Sequence, residues 1–339
     1  ASDVYKRQVF TMPMDRETYE ALGLHLPLPP MPKKSSSETW AVPEGDKQYN
    51  PCAEAFPDDD IPTGDVFYIK AWSESKIYPD STRDIYIYTP PNLLAAEAPN
   101  LAFFNDGAAY LDPKGPVRAA QVLDSMMHSG DIPPTVGVFV NPSDKRSLEY
   151  DSVTSTFITF INVEIIPLVE HRIGCTLNTD PAQRLICGHS SGGICAFNAA
   201  WHSPESFGRV LSHCGSYTNI RGGHNFPYLV RSTEPKPIKV LLQSGEHDLD
   251  FVMGSWPIAN QDMAAALKFA HYDYKFIFGE DQSGVTQVLG LNSFFDTLKG
   301  AEDLNLSQQI RENPNNISTG KDLIPGDNRV ALEIAKLQT

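Results

Sequence analysis

The run 185–193, LICGHSSGG, closes a short apolar stretch with a cluster of Gly, Ser and His. Gly188, His189, Ser190, Ser191 and Gly192 fit the spacing G-x-S-x-G. That spacing suits nucleophilic catalysis by a serine. The Ser must sit in a strained turn with its hydroxyl exposed, and flanking glycines let the backbones approach. The N–H of Ser191, at the start of a following helix, would point to where an oxyanion forms. A Gly-rich helix start without chemistry is the alternative reading.

Such a turn needs a strand before it and a helix after it, and the chain supplies that pattern repeatedly. Residues 66–72 and 83–88 alternate like paired strands. Residues 101–104 form a short apolar strand that runs into NDGAAY, and 135–140 (TVGVFV) reads as a buried strand. Further strands are expected over 184–187, 209–212, 238–243 and 272–278. Helical spacing covers 116–128, 157–173, 192–202 and 260–270. Strands alternating with helices imply an α/β fold: a mostly parallel central sheet with helices on both faces.

Three segments follow from composition. Residues 1–62 are rich in Pro, Ser and charge and read as an extended arm with a short helix near 16–22. Within it residues 3–8 (DVYKRQ) resemble a translated sequencing adapter, which would place them outside the fold and the natural start outside the chain. Residues 63–280 form the main domain. Residues 281–339 are a divergent tail with no Tyr or Trp and only Phe294 and Phe295 as aromatics.

The chain has 339 residues, is 41% hydrophobic and carries a net charge of −15. The charge argues against nucleic acid as a partner. No apolar run reaches the roughly 18 residues of a membrane span. Five cysteines are few, and Cys187 and Cys195 fall in apolar runs, so buried free thiols are the expectation. No metal-ligand spacing and no Gly-rich phosphate loop is present, so neither metal nor cofactor is implied. Compartment and oligomeric state are left open, with secreted, periplasmic and cytoplasmic locations all compatible.

Several stretches carry a family resemblance: FFNDGAAYLDPKGPVRAAQVLDSM, RSLEYDSV, RLICGHSSGGICAFNAAW, RVLSHCGSYTNIRGGH, LLQSGEHDLD and NQDMAAALKFAHYDYKF. In this order the chain resembles the esterase D and enterochelin-esterase-like branch of the α/β hydrolases. The bacterial members that are sometimes fused to a gluconolactonase-like domain match best. The resemblance runs from about residue 66 to 280. It implies hydrolysis of a small-molecule carboxylic ester with triad order Ser, acid, His.

On that resemblance Ser190 is the nucleophile and Asp248 the acid, with Glu246 and Asp250 as runners-up. The acid would hold the imidazole tautomer. A second oxyanion donor is expected from Gly107 or Ala108. Arg146, Glu149, Tyr150 and Asp151 resemble a cluster at the cleft rim, as does the loop 218–224 with Arg221 and His224. Each could contact substrate or hold its own loop. Trp256 could stack on a sugar or aryl ring, or pack in the core.

The expected base is where the chain departs from the pattern. The family writes Gly-Gly-His after the last strand, and this chain writes Gly279-Glu280-Asp281-Gln282. Gln282 falls on the His position, and no His follows His271. An amide cannot accept the serine proton near neutral pH. Three readings remain: a pseudoesterase that binds an ester or carbohydrate, rescue by His224 or His247, or a shifted frame or chimera near residue 281. His189, within the turn, is expected to point away.

Overall fold

Residues 52–279 are described by a computed structural model, apart from residues 92, 94–97, 116 and 247. The expected short helix near 16–22, His247, Gln282 and the tail lie outside the described residues.

The sheet is built from β1 (Asp65–Trp72), β2 (Arg83–Thr89), β3 (Asn100–Asn105), β4 (Thr135–Val140), β5 (Arg184–His189), β6 (Arg209–His213), β7 (Lys239–Gly245) and β10 (Asp273–Gly279). Its strand order is β1-β2-β4-β3-β5-β6-β7-β10. β1 and β2 pair antiparallel, as do β2 and β4, and every pairing from β4 to β10 is parallel. β8 (Asp250–Phe251) and β9 (Gly254–Ser255) form a separate hairpin that the sequence pattern did not suggest.

Burial follows from the parallel core. All six residues of β4, TVGVFV, are buried, because this inner strand, antiparallel to β2 and parallel to β3, has core packed on both faces. The edge strand β1 is mostly exposed, with only Trp72 at its end buried. The main core, with Leu101, Phe103, Ile186, Val210, Val240 and Leu242 on one sheet face, packs against the helix Ser191–His202 (α6) and its neighbours. The other face packs Ala102, Phe104 and Cys187 against α1 (Gly107–Leu111) and α2 (Ala119–Ser129).

Two expected elements differ in detail. The helix read over 157–173 is three pieces: α4 (Thr156–Phe160), a wide π turn (Ile161–Ile165) and α5 (Ile166–Ile173). Pro167 at the start of α5 has no N–H, and its ring clashes with the carbonyl four residues back, so the preceding turn widens. The arm is also not extended throughout. Ala53–Ala55 form a 3-10 turn, with Ala55 buried and the Glu54 carbonyl accepting the Ser125 hydroxyl of α2 at 2.8 Å.

Candidate active site

The serine turn is built by backbone geometry. Ser190 sits at φ 53° and ψ −120°, between β5 and α6. Non-Gly residues rarely adopt this conformation, and it persists here because the surroundings hold it. Ser190 N donates to the His213 carbonyl at 2.9 Å, and the Ser190 carbonyl accepts Ser216 N at 3.2 Å. A Cβ on Gly188 would lie 2.2 Å from the Gly192 carbonyl oxygen, and one on Gly193 2.8 Å from the His213 oxygen. The Ser190 side chain stands half-exposed above this turn. Ser191 opens α6, where first-turn N–H groups have no partner within the helix.

Across the cleft, β3 ends in Asn105 and Asp106. Asn105 Nδ2 donates to the Gly192 carbonyl at 3.0 Å and ties the two turns together. Asp106 takes the left-handed conformation, φ 54°, and presents Gly107 as the first residue of α1. A Cβ on Gly107 would fall 2.3 Å from the Phe139 carbonyl carbon, so only glycine fits. Of the two expected donors, Ala108 N–H is already given to Asn141 Oδ1 at 2.9 Å. That removes Ala108 as an oxyanion donor and leaves Gly107, for whose N–H no partner is found among the described residues.

Sequence reasoning gave Asp106 no role, yet it organises this side. Arg146 Nε and Nη2 reach its carboxylate at 2.6 and 2.8 Å. Its backbone N–H donates to the Tyr150 hydroxyl at 3.2 Å. The Arg146 side chain keeps about a third of its surface exposed. Burial lowers its pKa, but the bond and charge of Asp106 outweigh that and raise it. The Asn-Asp-Gly turn was the only signal for Asp106.

Arg146 lies on α3 (Arg146–Tyr150) with Glu149 and Tyr150. Neither of the latter is at the rim. Glu149 is buried and pairs bidentately with Arg83 at 2.9 and 3.0 Å, while Ser143 Oγ donates to the same carboxylate. Tyr150 is 1% exposed, and its hydroxyl is shared between Asp106 N and the Val140 carbonyl. Both are corrected from substrate contacts to anchors of their helix, because their polar groups are taken up inside the protein. Asp151 does the same: its carboxylate accepts Ser147 Oγ and Ser216 Oγ, each at 2.7 Å.

Asp248 follows β7. Its Oδ2 accepts Ser244 Oγ at 2.7 Å and Gly245 N at 2.8 Å, and the residue is 8% exposed. Two buried donors fix the carboxylate without fully desolvating it. Trp256, expected as a possible stacking platform, is 3% exposed at the start of α7 (Trp256–Phe269). Its ring is in the interior, so it offers no face to a ligand. Arg221 and His224 do lie on the loop after β6: Arg221 is half-buried and His224 exposed on a 3-10 turn.

Among the described residues no histidine hydrogen-bonds Ser190. His189 has Nδ1 3.9 Å from Asp106 Oδ2 and its ring beside Tyr110. Burial lowers its pKa; Asp106 opposes this and Arg146 adds to it. His213 is fully enclosed, and burial first, then the neighbouring His189, push its pKa down to about 3. The free thiols of Cys187 and Cys195 are buried, and burial drives Cys187 up to about 12, so neither is a nucleophile at neutral pH.

His213 makes stability depend on pH. Its folded pKa lies below the ordinary value of about 6.5, so the unfolded chain binds a proton first as pH falls. The contribution is complete above about pH 6.5 and is lost as pH drops toward 3. Between pH 7.5 and pH 5 this one group should cost about 2 kcal/mol. Urea unfolding of the parent and His213→Asn at both pH values checks it. A parent that loses no more than the variant contradicts the assignment.

The strand order, the parallel crossovers and the strained serine turn define an α/β-hydrolase fold. Residues 77–272 match the family model described as "Putative esterase", and the chain belongs to that family. The Iron(III) enterobactin esterase of Escherichia coli strain K12 is 30% identical over 182 residues, covering 51% of this chain and 43% of that protein. The Dickeya dadantii enzyme of the same name is 27% identical over 210 residues, covering 60% and 43%. The chain thus spans less than half the length of these curated relatives. Among solved structures, the enterochelin esterase of Shigella flexneri superposes with a TM-score of 0.54 at 23% identity, covering 68% of this chain and 56% of that one. A ferulic acid esterase of Anaeromyces mucronatus gives 0.54 at 14% identity, covering 70% and 92%. Both structural likenesses speak to the fold.

Proposed function

We propose that the chain is a serine carboxylic-ester hydrolase acting on a small acyl, sugar or siderophore ester. The observation that carries this reading is the Ser190 turn, strained at φ 53° and ψ −120° and flanked by glycines that admit no Cβ. Ser190 Oγ attacks the ester carbonyl. The N–H groups of Ser191 and Gly107 hold the oxyanion, a contribution of about 3–4 kcal/mol per donor in related chemistry. Asp248 orients the group that moves the proton. The names of the relatives, enterobactin and ferulic acid esterases, favour an aromatic acyl or siderophore ester.

The proton-moving position falls to Gln282. β10 pairs Gly279 with Gly245, and Glu246 N donates to the Gly279 carbonyl at 2.8 Å. The chain therefore leaves β10 beside the acid loop, three residues before Gln282. An amide there leaves the serine unactivated, and turnover rests on the oxyanion hole and binding, about 10³–10⁴-fold over water. A second reading, an ester-binding protein with negligible turnover, is favoured by the absence of a histidine bonded to Ser190 among the described residues.

The test is hydrolysis of p-nitrophenyl acyl esters by the parent and by Ser190→Ala. Slow hydrolysis that disappears in Ser190→Ala supports the hydrolase. Equal rates in both, with the ester still bound, support the binding reading.

A further inference from the structure

The amino ends of β3 and β4 lie at the end of the sheet opposite Ser190 and Asp248, which follow the carboxyl ends of β5 and β7. β2 runs antiparallel to β4, so its carboxyl end, Thr89, reaches that same far end. A pocket of about 220 Å³ opens there, smaller than a drug-sized site and ample for a small amine. Four prolines, Pro62, Pro90, Pro91 and Pro134, wall it, and Met127 and Ile132 complete the apolar lining. Asp124 of α2 lines it too and is 5% exposed.

The carboxylate is held through one oxygen. Gly64 N donates to Asp124 Oδ1 at 2.8 Å, and the Tyr88 hydroxyl donates to the same atom at 2.5 Å. Gly64 comes this close because it has no side chain: a Cβ there would lie 2.3 Å from the Thr89 carbonyl oxygen. Oδ2 has no hydrogen-bond partner among the described residues. Buried carboxylate oxygens are ordinarily satisfied, and one that faces a pocket can accept from a ligand. Burial raises the Asp124 pKa against the opposing bonds of Tyr88 and Gly64, and a cation at Oδ2 would relieve that cost. The walls narrow the chemistry further. Proline has no N–H, so the lining supplies acceptors and apolar surface but few donors, and an anion would meet the carboxylate unopposed. A metal ion would need more ligands, and no group of three His, Cys, Asp or Glu is gathered among the described residues. We infer that this pocket is a second binding site, remote from the Ser190 cleft, for a primary ammonium group carried on a small apolar body. It stands apart from the reading of Ser190 as a nucleophile.

The test titrates the full chain with benzylamine, protonated at neutral pH, and with benzyl alcohol, its neutral isostere, and reads binding by ligand-observed NMR. Benzylamine should bind with a Kd of about 1 mM, and the alcohol about tenfold more weakly. In Asp124→Asn the amide oxygen can still accept Gly64 N and the Tyr88 hydroxyl, and benzylamine affinity should fall about tenfold. His128, exposed at the pocket rim, gives a second variant that leaves the core untouched. His128→Lys should weaken benzylamine about threefold and leave the alcohol unchanged. Equal binding of the two probes, undiminished affinity in a folded Asp124→Asn chain, or no benzylamine binding below about 20 mM overturns the inference. If Asp124→Asn does not fold, His128→Lys decides alone: a loss for the amine only supports the site, and no change or an equal loss for both probes overturns it.

Discussion

Gln282→His raises ester hydrolysis by about 10²–10⁴-fold, the range a positioned general base contributes. On the proposed reading, the other groups that this substitution needs are already held in position. Asp248 is fixed by Ser244 Oγ and Gly245 N, the serine turn is preformed, and Gly107 is held at the opposite wall by its close approach to Phe139. A histidine at 282 would add what neither the described cleft nor the amide supplies, an acceptor whose ordinary pKa of about 6.5 suits neutral pH. The gain should carry a signature. The variant's kcat/KM should rise through the imidazole titration, while the parent's rate should show no such step. A folded variant with no gain and no step would mean that residue 282 does not reach Ser190. Parent turnover at ordinary enzyme rates, lost in His224→Ala or His247→Ala, would identify one of those residues as the working base.

The second large effect lies beneath the cleft. Glu149→Ala destabilises the protein by about 3–5 kcal/mol, because it strands the Arg83 guanidinium in the core. The Arg83 and Glu149 side chains are 0% and 2% exposed, and the Arg83 guanidinium also lies 4.5 Å from the Phe160 ring centroid. Arg83→Met should cost a similar amount by stranding the carboxylate. Replacing both with apolar residues should recover most of the loss, since neither charge is then left alone. Denaturant midpoints of the two single variants and the double variant decide it. Single losses below about 1 kcal/mol would show that water reaches the pair. The single variants should also lower ester turnover, because Glu149 anchors the helix from which Arg146 and Tyr150 hold Asp106.

What was legible in the sequence was local. The serine turn and the alternating strands are each specified by neighbours within a few residues, through glycine, strand period and helix spacing, whereas the acid loop was assigned by resemblance alone. What was illegible depended on distant partners. Glu149 and Tyr150 read as rim residues because nothing nearby shows that one pairs with Arg83, 66 residues back, and the other with Asp106, 44 residues back. Trp256 was compatible with stacking on a ligand or with core packing, and the start of its helix inside the core settles it as packing. Pro167 was visible in the chain, but its effect, a widened turn rather than a break, depends on packing around α4 and α5.

The glycines of the serine turn answer to packing, not to chemistry. Gly188 and Gly193 each face a backbone oxygen within 2.8 Å of where a Cβ would stand. A lineage that stopped hydrolysing esters would still be held to these two by the need to fold. Selection on the Ser190 hydroxyl and on the base could relax while the glycine frame stayed fixed. The motif is therefore inherited as architecture, and its survival in a descendant records ancestry whether or not that descendant turns over a substrate.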